Sequence, residues 1–550
     1  MSKQCQKGLP DSVSDLLEIV ENLHRKLENV EQKLEGAERE NNRLHEMLRL
    51  LRTQKYGRRS ERFGVELENI QRLLFADLEA NKAESEDEQP GQSEEIVVAE
   101  HTRKKSGRKP LPENLPRVDV IHDITDEEKQ CACGSTMSRI GEETAEQLQI
   151  EPARLWVERH IRPKYACKSC EGVESEDKAV KIAAVAVQMI PKSFASPSLL
   201  AHVMIGKFCD ALPFYRQEQQ FKRYGIDLPR ATMCNWALKT AERLKPLLEM
   251  LRLEVLASPV VNVDETTVQV LDEPDRSPQS KSYIWAFRGG GSGPPALYYQ
   301  YAPSRSGEVA RQFLAGYQGY VQTDGYKGYD FIDDEKEMIH VGCWAHTRRK
   351  FYEVIQAAGE KFKGEGKANQ ALKMIQDLYL IDREAKNRGF DEEQTYQLRQ
   401  EKAKPILDVF AEWLQTNAPK VPPGSLLGKA FSYAIGQWPR LVKYLDDGML
   451  LLDNNILENA IRPFVVGRKN WLFSQSPEGA QASAAFYSLI ETAKANGLDP
   501  YRYFLYLFKK YPLAKTAEDI FNLLPMSGLA IEINSLNPKT NFEIPDDLAS

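Results

Sequence analysis

Between residues 259 and 342, five short runs alternate apolar and polar side chains with a period of two, a pattern that suits half-buried strands and not helices. PVVNVDETTVQVL (259–271), KSYIWAF (281–287) and ALYYQYA (296–302) read as a meander, with a Gly/Pro-rich turn before the third run. SGEVARQFLAGY (306–317) has helical spacing, GYVQTDGYKGY (319–329) opens with a short strand, and MIHVG (338–342) supplies another before CWAHTRRKF. This order places Asp264 on the first strand and Asp324 at the end of the fourth, ahead of a Gly-rich turn.

The order β-β-β-α-β-α/β is that of an RNase H-like α/β core, in which carboxylates from central strands converge with a third from a later helix. DNNILENAIRP (453–463) supplies such a helix and carries Glu458. Mg²⁺ or Mn²⁺ takes hard oxygen ligands. Two such ions, bridged by Asp264 and completed by Asp324 and Glu458, suit phosphodiester displacement. Glu265, Asp330 and Asp453 are the neighbouring acids that compete for these roles. Residues 351–450 read as helices, for example ALKMIQDLYLI and the run from Asp391 to Trp413, so an all-α insertion is expected to divide a core of 255–350 and 451–500. Arg462, Arg468 and Lys469 after the glutamate suit phosphates, Trp471 either stacks on an unpaired base or packs in the core, and Pro463 is expected to end or kink the helix. Cys343-x-x-His346 offers two metal-type side chains, too few for a site alone, so His346, Arg348, Arg349 and Lys350 read as structural or DNA-positioning.

Upstream, Val13, Leu16, Val20, Leu23, Leu27, Val30, Leu34, Ala37, Leu44, Leu48 and Leu51 step by threes and fours, with Asn41 at an a position. That seam predicts a coiled coil over 12–54 and at least a dimer. Residues 65–112 combine an acidic linker with the basic arm TRKKSGRKPLP, where Arg103, Lys104, Lys105, Arg108 and Lys109 surround Gly107 like an AT-hook for a minor groove, or form a solvated basic linker. In 115–180, Cys131, Cys133, Cys167 and Cys170 form two close pairs that could hold one structural Zn²⁺ in a small zinc-ribbon-like module, with His122 or His160 as substitutes. Within a helical region over 190–250, LPFYRQEQQFKRYGIDLPRATMCNWALKTAERL has the layout of a helix-turn-helix or of an ordinary αα-hairpin. Its second helix opens near Arg230 with Thr232, Asn235 and Lys239 on one side, all four suited to DNA in the first reading, while Cys209, Cys234 and Trp236 are expected in the core.

The whole resembles transposases of the insertion sequence 66 family, an acid-triad (D-D-E) family. The resemblance runs through LFADLEA, GRKPLP, CACG, IGEETAEQLQIEPAR, HIRPKYACKSCEG, LPFYRQEQ, VDETTVQVL, QTDGYKGY and GCWAHTRRKF, and above all DNNILENAIRPFVVGRKNWLFSQS with AFYSLIETAKANGLDP. It covers about residues 10–525 and implies Asp264, Asp324 and Glu458 as the triad, transposon ends and target DNA as partners, and small companion proteins. A C-terminal helical element over 501–525 and a polar tail over 526–550 complete the expected multidomain α+β chain.

Composition at first points elsewhere. The 550 residues carry 73 Lys and Arg against 80 Asp and Glu, a net charge of −7. Yet residues 65–101 hold eleven acids and two bases, and 526–550 hold four acids and one base, so the remainder carries +5. That distribution suits nucleic acid. Eight cysteines in this length suit a reducing compartment, and no apolar run approaches a membrane span, so a bacterial cytoplasmic location on DNA is expected.

Overall fold

The computed structural model describes residues 155–166, 180–291, 293–358 and 366–528. The expected coiled coil, the acidic linker and basic arm, all four thiol-module cysteines, His122 and the tail from 529 onward lie outside the described residues. The chain forms two compact units. In the smaller, 77–185, β1 (Lys164–Ala166) pairs antiparallel with β2 (Val180–Ile182), Lys164 opposite Ile182. His160 there is exposed and lies 3.9 Å from Glu158.

The larger unit is built on a mixed sheet. β3 (Val260–Gln269) is its central strand, rich in β-branched residues, with Val261, Val263 and Val268 buried. β4 (Lys281–Gly290) runs antiparallel to it from Val260 opposite Gly290 to Gln269 opposite Lys281, and β5 (Ala296–Ala302) runs antiparallel to β4. On the other side, β6 (Gly319–Gln322) is parallel to β3 and β7 (Met338–Val341) is parallel to β6, giving the order β5-β4-β3-β6-β7.

Helices cover this sheet. α1 (Pro197–Phe208), capped by Ser196, leads to α2 (Phe214–Arg223), α3 (Arg230–Arg243) and α4 (Lys245–Ala257). α5 (Gly307–Phe313) connects β5 to β6. Then come α6 (Trp344–Ala358), α7 (Lys367–Arg388), α8 (Glu392–Leu398), α9 (Lys404–Asn417) and α10 (Leu426–Leu441), a helical layer with its own aromatic core of Trp344, Phe351, Phe410 and Phe431. α11 (Asn455–Trp471), α12 (Pro477–Ala495), α13 (Pro500–Lys510) and α14 (Ala517–Phe521) return to the sheet side, packing with α1 and α4 in the other core.

α12 also closes the sheet edge. The backbone N–H groups of Leu297 and Tyr299 on β5 donate to Thr492 Oγ1 (3.0 Å) and Ser488 Oγ (2.8 Å), so donors that an edge strand would leave open are satisfied. Of the two outcomes expected at Pro463, an end is corrected: α11 continues eight residues past it. Ile461 and Phe464 anchor the helix in the core on both sides of the proline, and Tyr299 donates to the Ala460 carbonyl (2.7 Å) in the turn before it.

The helical layer is tied together by Arg399, 3% exposed. It forks onto Asp382 with two 2.9 Å hydrogen bonds and donates to the carbonyls of Tyr444, Asp447 and Leu450 at 2.8–3.0 Å. Arg399→Ala leaves Asp382 and three carbonyls without their donor, and is expected to destabilise the protein by about 3–5 kcal/mol, read as a lower midpoint in urea unfolding.

Candidate active site

The sheet and α11 meet through three buried amides. Asn262 on β3 donates from Nδ2 to Gln322 Oε1 (2.9 Å) on β6 and to Asn454 Oδ1 (3.0 Å) at the start of α11. Gln322 donates onward to the Leu451 carbonyl (2.7 Å), and Asn454 to the Val263 carbonyl (3.1 Å). All three residues are at most 2% exposed. Asp264 and Asp324 each lie two residues beyond one of these amides and Glu458 four beyond the third, one helical turn on. Sequence reasoning missed the trio, although an amide two residues before each strand acid, in runs otherwise of valine, was the available signal.

The three acids sense one another. Burial pushes the Asp264 carboxyl well above the usual carboxylate range; the negative charges of Glu265, Asp324 and Glu458 add to this, and the Glu265 N–H donating to Oδ1 (2.8 Å) opposes it. Asp324 Oδ1 accepts the Tyr326 N–H (2.9 Å). Its turn needs glycine for space, since a Cβ at Gly325 would lie 2.6 Å from the Tyr433 hydroxyl. Glu458, in the first turn of α11, has one oxygen 3.8 Å from His346 Nδ1 and the other 3.8 Å from an Arg349 nitrogen. The rival acids are occupied. Glu265 is held by Arg305 and the Tyr329 hydroxyl, Asp330 by Arg440 (2.7 Å), and Asp453 by the Tyr379 hydroxyl (2.6 Å) and Asn455.

The expected basic residues divide. On α3, Arg230, Asn235 and Lys239 are exposed and Thr232 half-buried, opposite the buried stripe of Met233, Trp236, Ala237 and Thr240. Cys234 falls on the exposed side because it is one residue off that stripe, so its expected place in the core is corrected; Cys209 is half-buried. On α6, His346 lies beside Glu458, while Arg348 and Lys350 sit 5.8 Å from the rings of Tyr352 and Tyr433. Arg462 and Lys469 are exposed. Arg468 instead donates to Thr266 and Thr267, clamping α11 to β3, and Trp471 packs edge-on against Phe464 (5.4 Å) in the core. Arg103, Lys104, Lys105, Arg108 and Lys109 lie outside the described residues.

Behind Asp324, Thr323 Oγ1 lies 2.8 Å from both the Asp324 carbonyl and His340 Nε2. His340 Nδ1 is 2.9 Å from Asp333, which Arg440 also holds.

The chain is a member of the IS66 transposase family. Residues 192–482 match the Transposase IS66 family, 488–526 the IS66 C-terminal element, 128–171 the zinc-finger binding domain of transposase IS66, and 43–120 the Transposase C of IS166 homeodomain. Uncharacterized protein y4jD of Sinorhizobium fredii (strain NBRC 101917 / NGR234) is 33% identical over 493 residues, 87% of this chain and 93% of that protein. Uncharacterized protein y4hP of the same strain is 31% identical over 82% of each chain. Among the described residues no helix is long and apolar enough to cross a membrane.

Burial, with Arg440 nearby, lowers the His340 pKa to about 4, against the pull of Asp333 and Asp330. The unfolded chain binds this proton near 6.5, so between pH 6.5 and 4 it holds more protons than the folded chain and stability falls as pH is lowered. Urea unfolding at stepped pH should show a loss of up to about 1.4 kcal/mol per pH unit from this residue, absent in His340→Gln. An unchanged slope in that variant would remove the assignment.

Proposed function

We propose that the protein is a metal-dependent D-D-E transposase with an RNase H-like core, acting in the bacterial cytoplasm. It binds the inverted ends of its element, cleaves them at their 3′ ends with water, and joins the freed 3′-hydroxyls to target DNA. The observation that carries this reading is the convergence of Asp264, Asp324 and Glu458 behind the buried amide trio, in a chain of the IS66 family. The strand order β5-β4-β3-β6-β7, antiparallel on one side of β3 and parallel on the other, supports the core assignment.

The donor set is all carboxylate, and Asp264 is raised first by burial and then by its negative neighbours, a repulsion that divalent cations relieve. Asp264, Asp324 and Glu458 would together hold two Mg²⁺ or Mn²⁺ ions. When bound, the ions supply charge stabilisation at the attacking and leaving oxygens of the phosphodiester. The chain's own residues position DNA. The exposed Arg230, Asn235 and Lys239 of α3 suit a major groove, with Thr232 at their margin, and the exposed Arg349 beside Glu458, Arg462 one helical turn after it and Lys469 in the last turn of α11 suit backbone phosphates. Cys131, Cys133, Cys167 and Cys170 would hold a structural Zn²⁺, as the zinc-finger match over 128–171 supports. The coiled coil over 12–54 would pair protomers so that two ends are held together.

With labelled end DNA and Mg²⁺, the wild type is expected to cleave and to transfer strands. Asp264→Asn, Asp324→Asn and Glu458→Gln should each lose both activities by at least about 10²-fold while retaining end binding. An active Glu458→Gln protein overturns the triad. Cleavage without joining identifies a nuclease, and binding without either reaction a regulatory DNA-binding protein.

A further inference from the structure

The entry into α6 and the first turn of α11 bring Cys343, His346 and Glu458 together, and two of the atoms there are buried without a hydrogen-bond partner: His346 Nδ1 and Glu458 Oε1. They face one another at 3.8 Å, too far for a hydrogen bond. With Cys343 Sγ, the three donor atoms all lie within 4.8 Å of one another. The sulfur is fixed in place by the Asn454 N–H at 3.2 Å, so the backbone that starts α11 orients it. Buried polar atoms lacking partners call for a ligand.

The chemistry of the set is selective. Tetrahedral bonds of about 2.0–2.2 Å place a nitrogen and an oxygen ligand roughly 3.3–3.5 Å apart, a few tenths of an ångström closer than the 3.8 Å of the His346–Glu458 pair. A thiol and an imidazole disfavour hard ions such as Mg²⁺ and suit a borderline ion. We propose that Cys343, His346 and Glu458 form a site for one Zn²⁺-class ion, distinct from any zinc in the thiol module. Three protein ligands leave its fourth position open. Where Glu458 also serves the acid triad, as the reading above has it, the two occupants compete for the glutamate.

The test counts ions and needs no DNA, so it fails or succeeds apart from the transposase reading. Full-length protein is stripped with a chelator, reloaded with Zn²⁺ or Co²⁺, desalted and assayed for bound metal. The wild type is expected to retain one more ion than each of Cys343→Ser, His346→Ala and Glu458→Gln, and Cys343→Ser should lose part of the thiolate-to-cobalt charge-transfer absorption. His346 is partly exposed, so its alanine variant decides the matter if Cys343→Ser loses its native circular dichroism. Equal ion counts in wild type and His346→Ala overturn the site.

Discussion

Asn262, Gln322 and Asn454 meet where almost no water reaches, and their hydrogen bonds join β3 to β6 once and β3 to the start of α11 twice. Buried amides that lose a partner keep the full cost of desolvation, so the network is satisfied in one arrangement and penalised in others. That arrangement sets β3 beside β6 and seats the start of α11 on both. Asp264, Asp324 and Glu458 follow these amides by two, two and four residues, so the geometry of the acids is inherited from contacts that are themselves uncharged. Three negative side chains repel, and a neutral scaffold is what holds them close.

Two further devices keep that scaffold rigid. On the far edge of the sheet, hydroxyls of Ser488 and Thr492 satisfy β5 while α12 fills the core with Phe486 and Tyr487. On the near edge, α6 to α10 pack as a second core whose loops are gathered by Arg399, a buried cation hydrogen-bonded to one carboxylate and three carbonyls. The helical layer therefore touches the acids through α6, whose His346 and Arg349 face Glu458 from outside the sheet.

Much of this was readable in the sequence. Period-two alternation located β3 and β5 to within two residues and β4 to within three, since a strand must place its apolar side chains on one face whatever surrounds it. The break at Gly225 and the Asp227–Pro229 turn separated α2 from α3, and Arg230, Asn235 and Lys239 lie on the outer face that spacing assigned. Local rules failed where distant contacts outweighed them. Pro463 breaks an isolated helix, but Ile461, Phe464 and Tyr299 hold α11 through it. Arg468 looks like a phosphate ligand by composition, yet β3 offers Thr266 and Thr267 to it.

What the sequence determined by itself was the order of strands and helices, an acid on one strand, one just past another and one on a helix, and the family to which the chain belongs, because periodicity and motif are properties of neighbouring residues. Which acids accept a hydrogen bond from a distant side chain was decided only by the tertiary structure. Glu265, Asp330 and Asp453 are as acidic as the others in the text of the chain, and only folding brings Arg305, Arg440 and Tyr379 to them from 40, 110 and 74 residues away. The same holds for Cys343, His346 and Glu458: 112 residues separate the histidine from the glutamate, and no local pattern encodes a contact across that distance.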